Sequence, residues 1–391
     1  MNKSDIKRNF WMLNGRFAKQ GYDWWWHNFT AVNETTGEER TFFVEYFTCN
    51  PALLEQKGLL PDGTKLTVNN DSPVYGQLEQ NKAAGIKPSY LMVKAGWWGE
   101  DKVQLHRFIP WKEVEIKNTS NGYCLNALDC SASEIVLKGK INILPEEATM
   151  HPEWMCNAGS MEWELNVNKK VAFNVGYGAS GIFRALKAFE MYWHAEGMKS
   201  EYSGTIIANG EKYIVKPENC YGYADKNWGS NFTSPWVWLS SNDLVSKISG
   251  KTLENSVFDI GGGRPKVFGI ALDRKLLSDF WYEGKSFEFN FSKFWTFCRT
   301  SFDCKETDTQ IIWKVRQETV KSIMETEIHC EKSKMLLVNY ESPDGAKRHN
   351  RLWNGGTGEG TVKLYKKEKG KAVLLDEVEA KHIGCEFGEY C

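Results

Sequence analysis

The chain has 391 residues, more than one hydrophobic core usually organises, so two domains are expected. Charged residues make up 25% and hydrophobic residues 41%, which excludes a chain dominated by disorder. A formal net charge of -1 excludes a whole-protein field that would draw nucleic acid or anionic membrane.

From the N-terminus, Asp5 to Leu13 reads as a short helix. The run Asp23-Trp24-Trp25-Trp26-His27 reads as strand, and three consecutive Trp on a strand must divide between its two faces. Thr41 to Thr48 is a further strand, followed by candidate helical turns at Pro51 to Gln56 and Gln77 to Ala84. Tyr123 to Leu128 and Glu134 to Ile143 read as strands, and Pro145 to Ser160 is richer in loop and helix formers. Gly176 to Gly181 is a glycine-rich loop leading into Ile182 to Glu190. Thr205 to Ala208, Trp236 to Leu239, Ser286 to Ser292 and Met335 to Tyr340 are strand-like. In Ser286 to Ser292, Phe287, Phe289 and Phe291 alternate with polar residues. Asn121-Gly122, Asn209-Gly210, Asp344-Gly345 and Lys369-Gly370 punctuate hairpins, being pairs that tolerate positive φ. Helical patterns are few and meandering hairpins dominate. The expected fold is therefore mostly β, as barrels or sandwiches, with domains 1–220 and 221–391 meeting near Tyr221.

The ten Cys form no CxxC pair and no Cys/His grouping with zinc spacing. The seven His form no HExxH pair, so no metal is expected, and no cofactor motif is present. Gly261-Gly262-Gly263 lacks nucleotide-loop spacing and reads as a turn or bulge. The segment MNKSDIKRNFWMLNGRF has no apolar signal-peptide run, and no stretch approaches the ~18 apolar residues of a membrane helix. Reduced thiols, a cytoplasmic location and no membrane span are expected.

The departure from average is aromatic, with 17 Trp, 15 Tyr and 21 Phe. Such side chains fill a β core or line a pocket for a large apolar ligand. Chemistry concentrates at Gly222 to Trp238, where Asp225, Lys226 and Asn227 lie between Tyr223 and Trp228. A carboxylate held against indole rings has a raised pKa and can donate a proton near neutrality. The alternative is that Asp225 or Asn227 closes a tight turn while Lys226 points to water. His27 and His194 each follow aromatic residues, and each can move a proton or bond a backbone carbonyl.

At these residues the sequence resembles the tocopherol cyclase family, within a lipocalin-like group that includes carotenoid hydratases and fungal Diels–Alderases. The likeness rests on Tyr223-Ala224-Asp225-Lys226-Asn227-Trp228-Gly229, then Phe232-Thr233, Trp236-Val237-Trp238 and Asn242. Asp23 to Trp26, Phe43 to Pro51, His194, Gly261 to Gly263 and Gly360 to Glu379 resemble further landmarks, in order over residues 15–385. Asp225 stands where the family usually has Glu, Thr233 where it has Pro, and Trp24 where it has a small residue. The resemblance implies two lipocalin-like antiparallel β domains and a hydrophobic, aromatic or isoprenoid small-molecule substrate, without a redox cofactor. Asp225 is the expected acid, with Tyr223, His194, Lys226 or Asn227 aiding proton transfer. Trp25, Trp26, His27, Tyr46, Trp193, Trp228, Trp236 and Trp238 are the expected substrate contacts. The resemblance implies an isomerase or cyclase, or a hydratase-type lyase, acting by proton transfer on a carbon–carbon double bond or ether ring. The competing expectation is a non-catalytic carrier using the same aromatics.

Overall fold

The computed structural model of the chain describes residues 3–173, 189–264, 266–267, 270–271 and 274–388. It is mostly β, built on two large antiparallel sheets with few short helices. The first sheet runs from the edge strand Val103–Ile109 through Tyr90–Trp97, Glu39–Cys49 and Tyr22–Asn33. It continues through Glu211–Val215, Met191–Ala208, Gly159–Phe173 and Val136–Ile143 to Cys130–Ser133, Gly122–Ala127 and Val114–Thr119. Gly222–Gly229 adds a further rung between Tyr22–Asn33 and Met191–Ala208. The sheet curls toward a barrel. Arg107 on its edge strand donates to the Asn142 carbonyl and pairs with Glu147 at 3.0 Å.

The second sheet begins at Trp236–Ser241, which lies between Val257–Gly263 and the long strand Lys371–Gly388. Lys275–Tyr282 and Lys285–Phe289 extend one side. Lys347–Glu368, Ser322–Glu331, Gln310–Glu318 and Arg299–Glu306 extend the other. Leu336–Glu341 pairs with Lys347–Glu368. Each sheet encloses an apolar core, around Trp25, Tyr46 and Trp163 in the first and Phe258, Ile260 and Trp313 in the second. A third core lies between them, where Trp26 and Trp193 of the first sheet pack with Trp236, Trp238 and Tyr340 of the second.

Two of the four hairpin pairs behave as their chemistry dictates. Asn209-Gly210 (φ 48 and 86) and Lys369-Gly370 (φ 48 and 81) are two-residue turns in the left-handed region. At Asn121-Gly122 the turn is instead Ser120-Asn121, because Gly122 already pairs with Thr119. Other readings change more. Pro51 to Gln56 is not helical. Gln56 belongs to the strand Glu55–Leu59, which turns back at residues 60–64 to pair with Lys65–Asn69. The N-terminal helix Lys3–Arg8 stops well before Leu13. Gly261 to Gly263 is the end of a strand, not a turn. Most of all, Gly222–Gly229 is an interior strand with a partner on each side, so neither Asp225 nor Asn227 closes a turn, and Lys226 is completely buried. The strand that follows the 220/221 boundary thus bonds within the first sheet, and the change of sheet falls between Gly229 and Trp236. The loop expected over Gly176–Gly181 and the stretch entering at Ile182 lie outside the described residues. Among the described residues, no helix is long and apolar enough to cross a membrane.

Candidate active site

Strand alternation decides which side chains meet. Directly opposed residues of an antiparallel pair share a face. Trp24 pairs with Asn227, Trp25 with Lys226, Trp26 with Asp225 and His27 with Ala224. Trp193 pairs with Asn227 and His194 with Lys226. Trp24, Trp26, Trp193, Tyr223, Asp225 and Asn227 therefore project toward the second sheet. Trp25, His27, His194 and Lys226 project into the first barrel, as does Tyr46 opposite Trp25.

Between the sheets lies a cavity walled by Trp24, Trp26, Met191 and Asp225 from the first and by Trp236, Trp238, Tyr340, Leu352 and Glu386 from the second. It is tight, about 20 Å³, room for about one water. Two carboxyl groups reach it. Asp225 Oδ2 accepts from Trp193 Nε1 at 2.8 Å and from the Tyr223 hydroxyl at 3.3 Å. Its Oδ1 is buried with no hydrogen-bond partner. Burial drives the Asp225 carboxyl well above the usual carboxylate range. The Trp193 bond opposes this, while the charge of Glu386 adds to it. Glu386 accepts from Trp236 Nε1 at 2.5 Å and from Asn354 Nδ2 at 2.6 Å. Burial pushes its carboxyl to about 7 against those two bonds.

Behind Asp225, Tyr223 also lies 3.2 Å from Asp259, and Trp238 Nε1 reaches both the Tyr223 hydroxyl (3.1 Å) and Asp259 (3.2 Å). Burial and the nearby Asp225 charge raise the Asp259 carboxyl too. On the opposite wall, Lys94 donates to the Tyr340 hydroxyl at 3.0 Å, and that hydroxyl donates to Glu45 at 2.9 Å. The arrangement sets two carboxyl groups, both shifted upward by burial, among the indoles of the cavity wall.

The expected site residues divide accordingly. Trp26, Asp225, Trp236 and Trp238 line the cavity, and Trp193 and Tyr223 hold Asp225. Asn227 sits one rung away, accepting from the Tyr22 hydroxyl at 2.9 Å. The expected grouping of Asp225 with His194 or His27 does not form. His194 is pressed to about 3 by burial and by the Arg8 and Lys169 charges, which keeps it neutral inside the first barrel. His27 is lowered too, by burial and Lys169, and its Nδ1 lies 2.9 Å from the Tyr202 hydroxyl. Lys226 forms a buried ion pair with Asp23 and sits 3.9 Å from the Trp25 ring centre. Trp228 stacks on Tyr192 at 5.5 Å. Trp25, His27, Tyr46, Trp228 and Lys226 are thus absent from the cavity wall. Sequence reasoning missed Trp24, Met191, Tyr340, Leu352 and Glu386. Trp24 was recoverable from alternation with Trp26, whereas Glu386 reaches the site by pairing with Trp238, far away in sequence. Among the described residues, no three His, Cys, Asp or Glu side chains converge to hold a metal ion.

Fold and site together define a two-sheet, mostly β protein with an acid-bearing aromatic cavity between the sheets. The model of the tocopherol cyclase-like family matches residues 117–389, and the chain belongs to that family. No curated protein matches the sequence. Among solved structures it is similar to an AttH candidate from Nitrosomonas europaea (12% identity, 94% of this chain and 92% of that one covered, TM-score 0.48). It is also similar to kievitone hydratase from Nectria haematococca (10%, 93% and 89%, 0.43) and to CghA solved with Sch210972 (9%, 95% and 89%, 0.45).

Proposed function

We propose that the protein is a cofactor-independent isomerase or cyclase that closes a ring on a hydrophobic, aromatic or isoprenoid molecule by proton transfer to a carbon–carbon double bond. The observation that carries this is Asp225: one carboxyl oxygen is held by Trp193 and Tyr223, and the other is buried at the cavity wall without a partner. As the neutral acid, Asp225 delivers its proton to an alkene carbon. The developing positive charge is met by the faces of Trp24, Trp26, Trp236 and Trp238. A substrate hydroxyl then closes on the cationic carbon and gives its proton to the Glu386 carboxylate, which is accessible near pH 7. One C–H and one C–O bond form, one O–H and one π bond are lost, and solvent returns the proton from Glu386 to Asp225. His194 and His27, on the far face of the sheet, take no part. Because the free space is small, a substrate enters by displacing a wall residue. Trp24 is the only partly buried one of the four indoles.

The experiment incubates the protein with geranylhydroquinone in D₂O and follows cyclised product and deuterium by mass spectrometry. Wild type is expected to give product carrying one deuteron, and Asp225→Asn to lose roughly 10²–10⁴-fold in rate. Activity of Asp225→Asn within a few-fold of wild type removes Asp225 as the acid. A ligand that binds but is recovered unchanged after long incubation makes the protein a carrier instead.

A further inference from the structure

We infer that one end of the second sheet is a docking surface for an anionic lipid bilayer. This inference is independent of the chemistry proposed above. Three turns are tied together there by backbone bonds: Val320 N–H donates to the Thr296 carbonyl (3.2 Å) and Lys367 N–H to the Lys321 carbonyl (2.8 Å). They flank a groove of about 480 Å³ whose walls include Lys285, Trp295, Val320, Lys321 and Lys366. The turn tips hold large apolar side chains out in solvent, Trp295 at 56%, Phe297 at 71% and Val320 at 53% exposure. Single exposed apolar residues are ordinary, but Trp295 and Phe297 on one tip beside Val320 on the tip bonded to it mark an interaction surface.

The charge around them identifies the partner. Segments 285–288, 293–298, 318–322 and 366–371 hold seven lysines against three glutamates, although the whole chain carries -1. Each of those glutamates is matched by a lysine: Glu288 by Lys293, Glu318 by Lys367 (2.5 Å) and Glu368 by Lys366 (3.0 Å). Lys285, Lys321, Lys369 and Lys371 are left as a local surplus of four positive charges. Protein–protein interface cores are depleted in lysine. A bilayer interface takes Trp at headgroup depth and lysines on anionic headgroups. Lys285, Lys321, Lys366 and Lys367 around the groove beside exposed Trp295, with Lys369 and Lys371 further along the same hairpin, fit the bilayer.

The test is co-sedimentation with large unilamellar vesicles of phosphatidylcholine, alone or mixed with phosphatidylglycerol. Binding is expected only with phosphatidylglycerol present, and to fall with added salt. Lys321→Glu/Lys371→Glu is expected to weaken it at least tenfold, given about fivefold per lysine near the surface. Trp295→Ala/Phe297→Ala is expected to weaken it as much, with circular dichroism and thermal midpoint kept in both variants because all four positions are exposed. Equal binding to both vesicle types, or variants that bind like wild type, overturns the inference. So does self-association that Trp295→Ala/Phe297→Ala abolishes without any vesicle binding, since a second copy would then be the occupant.

Discussion

Asp225 depends on space left by a residue with no side chain. Trp193, whose indole N–H holds Asp225, lies against Gly261, where an added Cβ would stand 2.7 Å from the indole ring. Gly261 is therefore explained by close approach and not by turn geometry. Gly261→Ala is expected to cost about 1–3 kcal/mol through overpacking. Because the indole must shift, the Asp225 bond loosens as well. Urea unfolding reads the first effect, and the pH at which Asp225 ionises, followed by its carboxyl signal in NMR, reads the second. With the Trp193 bond weakened, that pH should rise further, since the bond is what opposes burial. A Gly261→Ala protein with wild-type stability and wild-type Asp225 titration would show that the contact relaxes at no cost.

At the scale of elements, the strand Gly222–Gly229 does two jobs on two faces. Asp225 serves the cavity, while Lys226 pins the strand to Tyr22–Asn33 through Asp23 inside the barrel. Burial alone lowers the Lys226 ammonium, with Asp23 opposing, and raises Asp23 to about 6, with Lys226 opposing. Lys226→Met removes the partner of a buried carboxylate and is expected to destabilise by about 3–5 kcal/mol, whereas Asp23→Asn/Lys226→Met recovers much of that loss. Chemical unfolding of both variants checks it, and equal losses in the two would mean that packing, not the ion pair, carries the energy. This two-faced strand also shows what the sequence can disclose. Period-two alternation separates Trp24 and Trp26 from Trp25 and His27, and the β character and most hairpins follow from local chemistry. Which face meets the second sheet is set by long-range pairing, so Asp225, His194 and His27 appeared to share a site that the strands divide. Glu386 and Tyr340 carry no local motif at all. They arrive through strands Lys371–Gly388 and Leu336–Glu341, whose pairing no short window of sequence encodes.

On the scale of the whole molecule, the cavity exists only while the two sheets stay together, and one clamp between them titrates. His382 on Lys371–Gly388 of the second sheet lies 2.5 Å from Glu39 of the first and 2.6 Å from Asp243, with Tyr221 stacked on its ring at 4.4 Å. Burial lowers the imidazole, but the bonds and charges of Asp243 and Glu39 outweigh it and lift His382 to about 9. A folded pKa above the unfolded value of about 6.5 means that the folded state holds the proton more tightly. The resulting stability is fully present below about pH 6.5 and is lost as pH rises through 9. The shift sets a ceiling of about 3 kcal/mol, and screening of the partly exposed Glu39 brings the expected contribution to roughly 1–2 kcal/mol. Unfolding free energies measured from pH 6 to 10 should therefore fall across this window for wild type and stay flatter for His382→Gln, which keeps a hydrogen-bonding side chain without the charge. If the two proteins lose stability in parallel, the clamp is not what titrates there, and cohesion of the sheets rests on the aromatic core that surrounds the cavity.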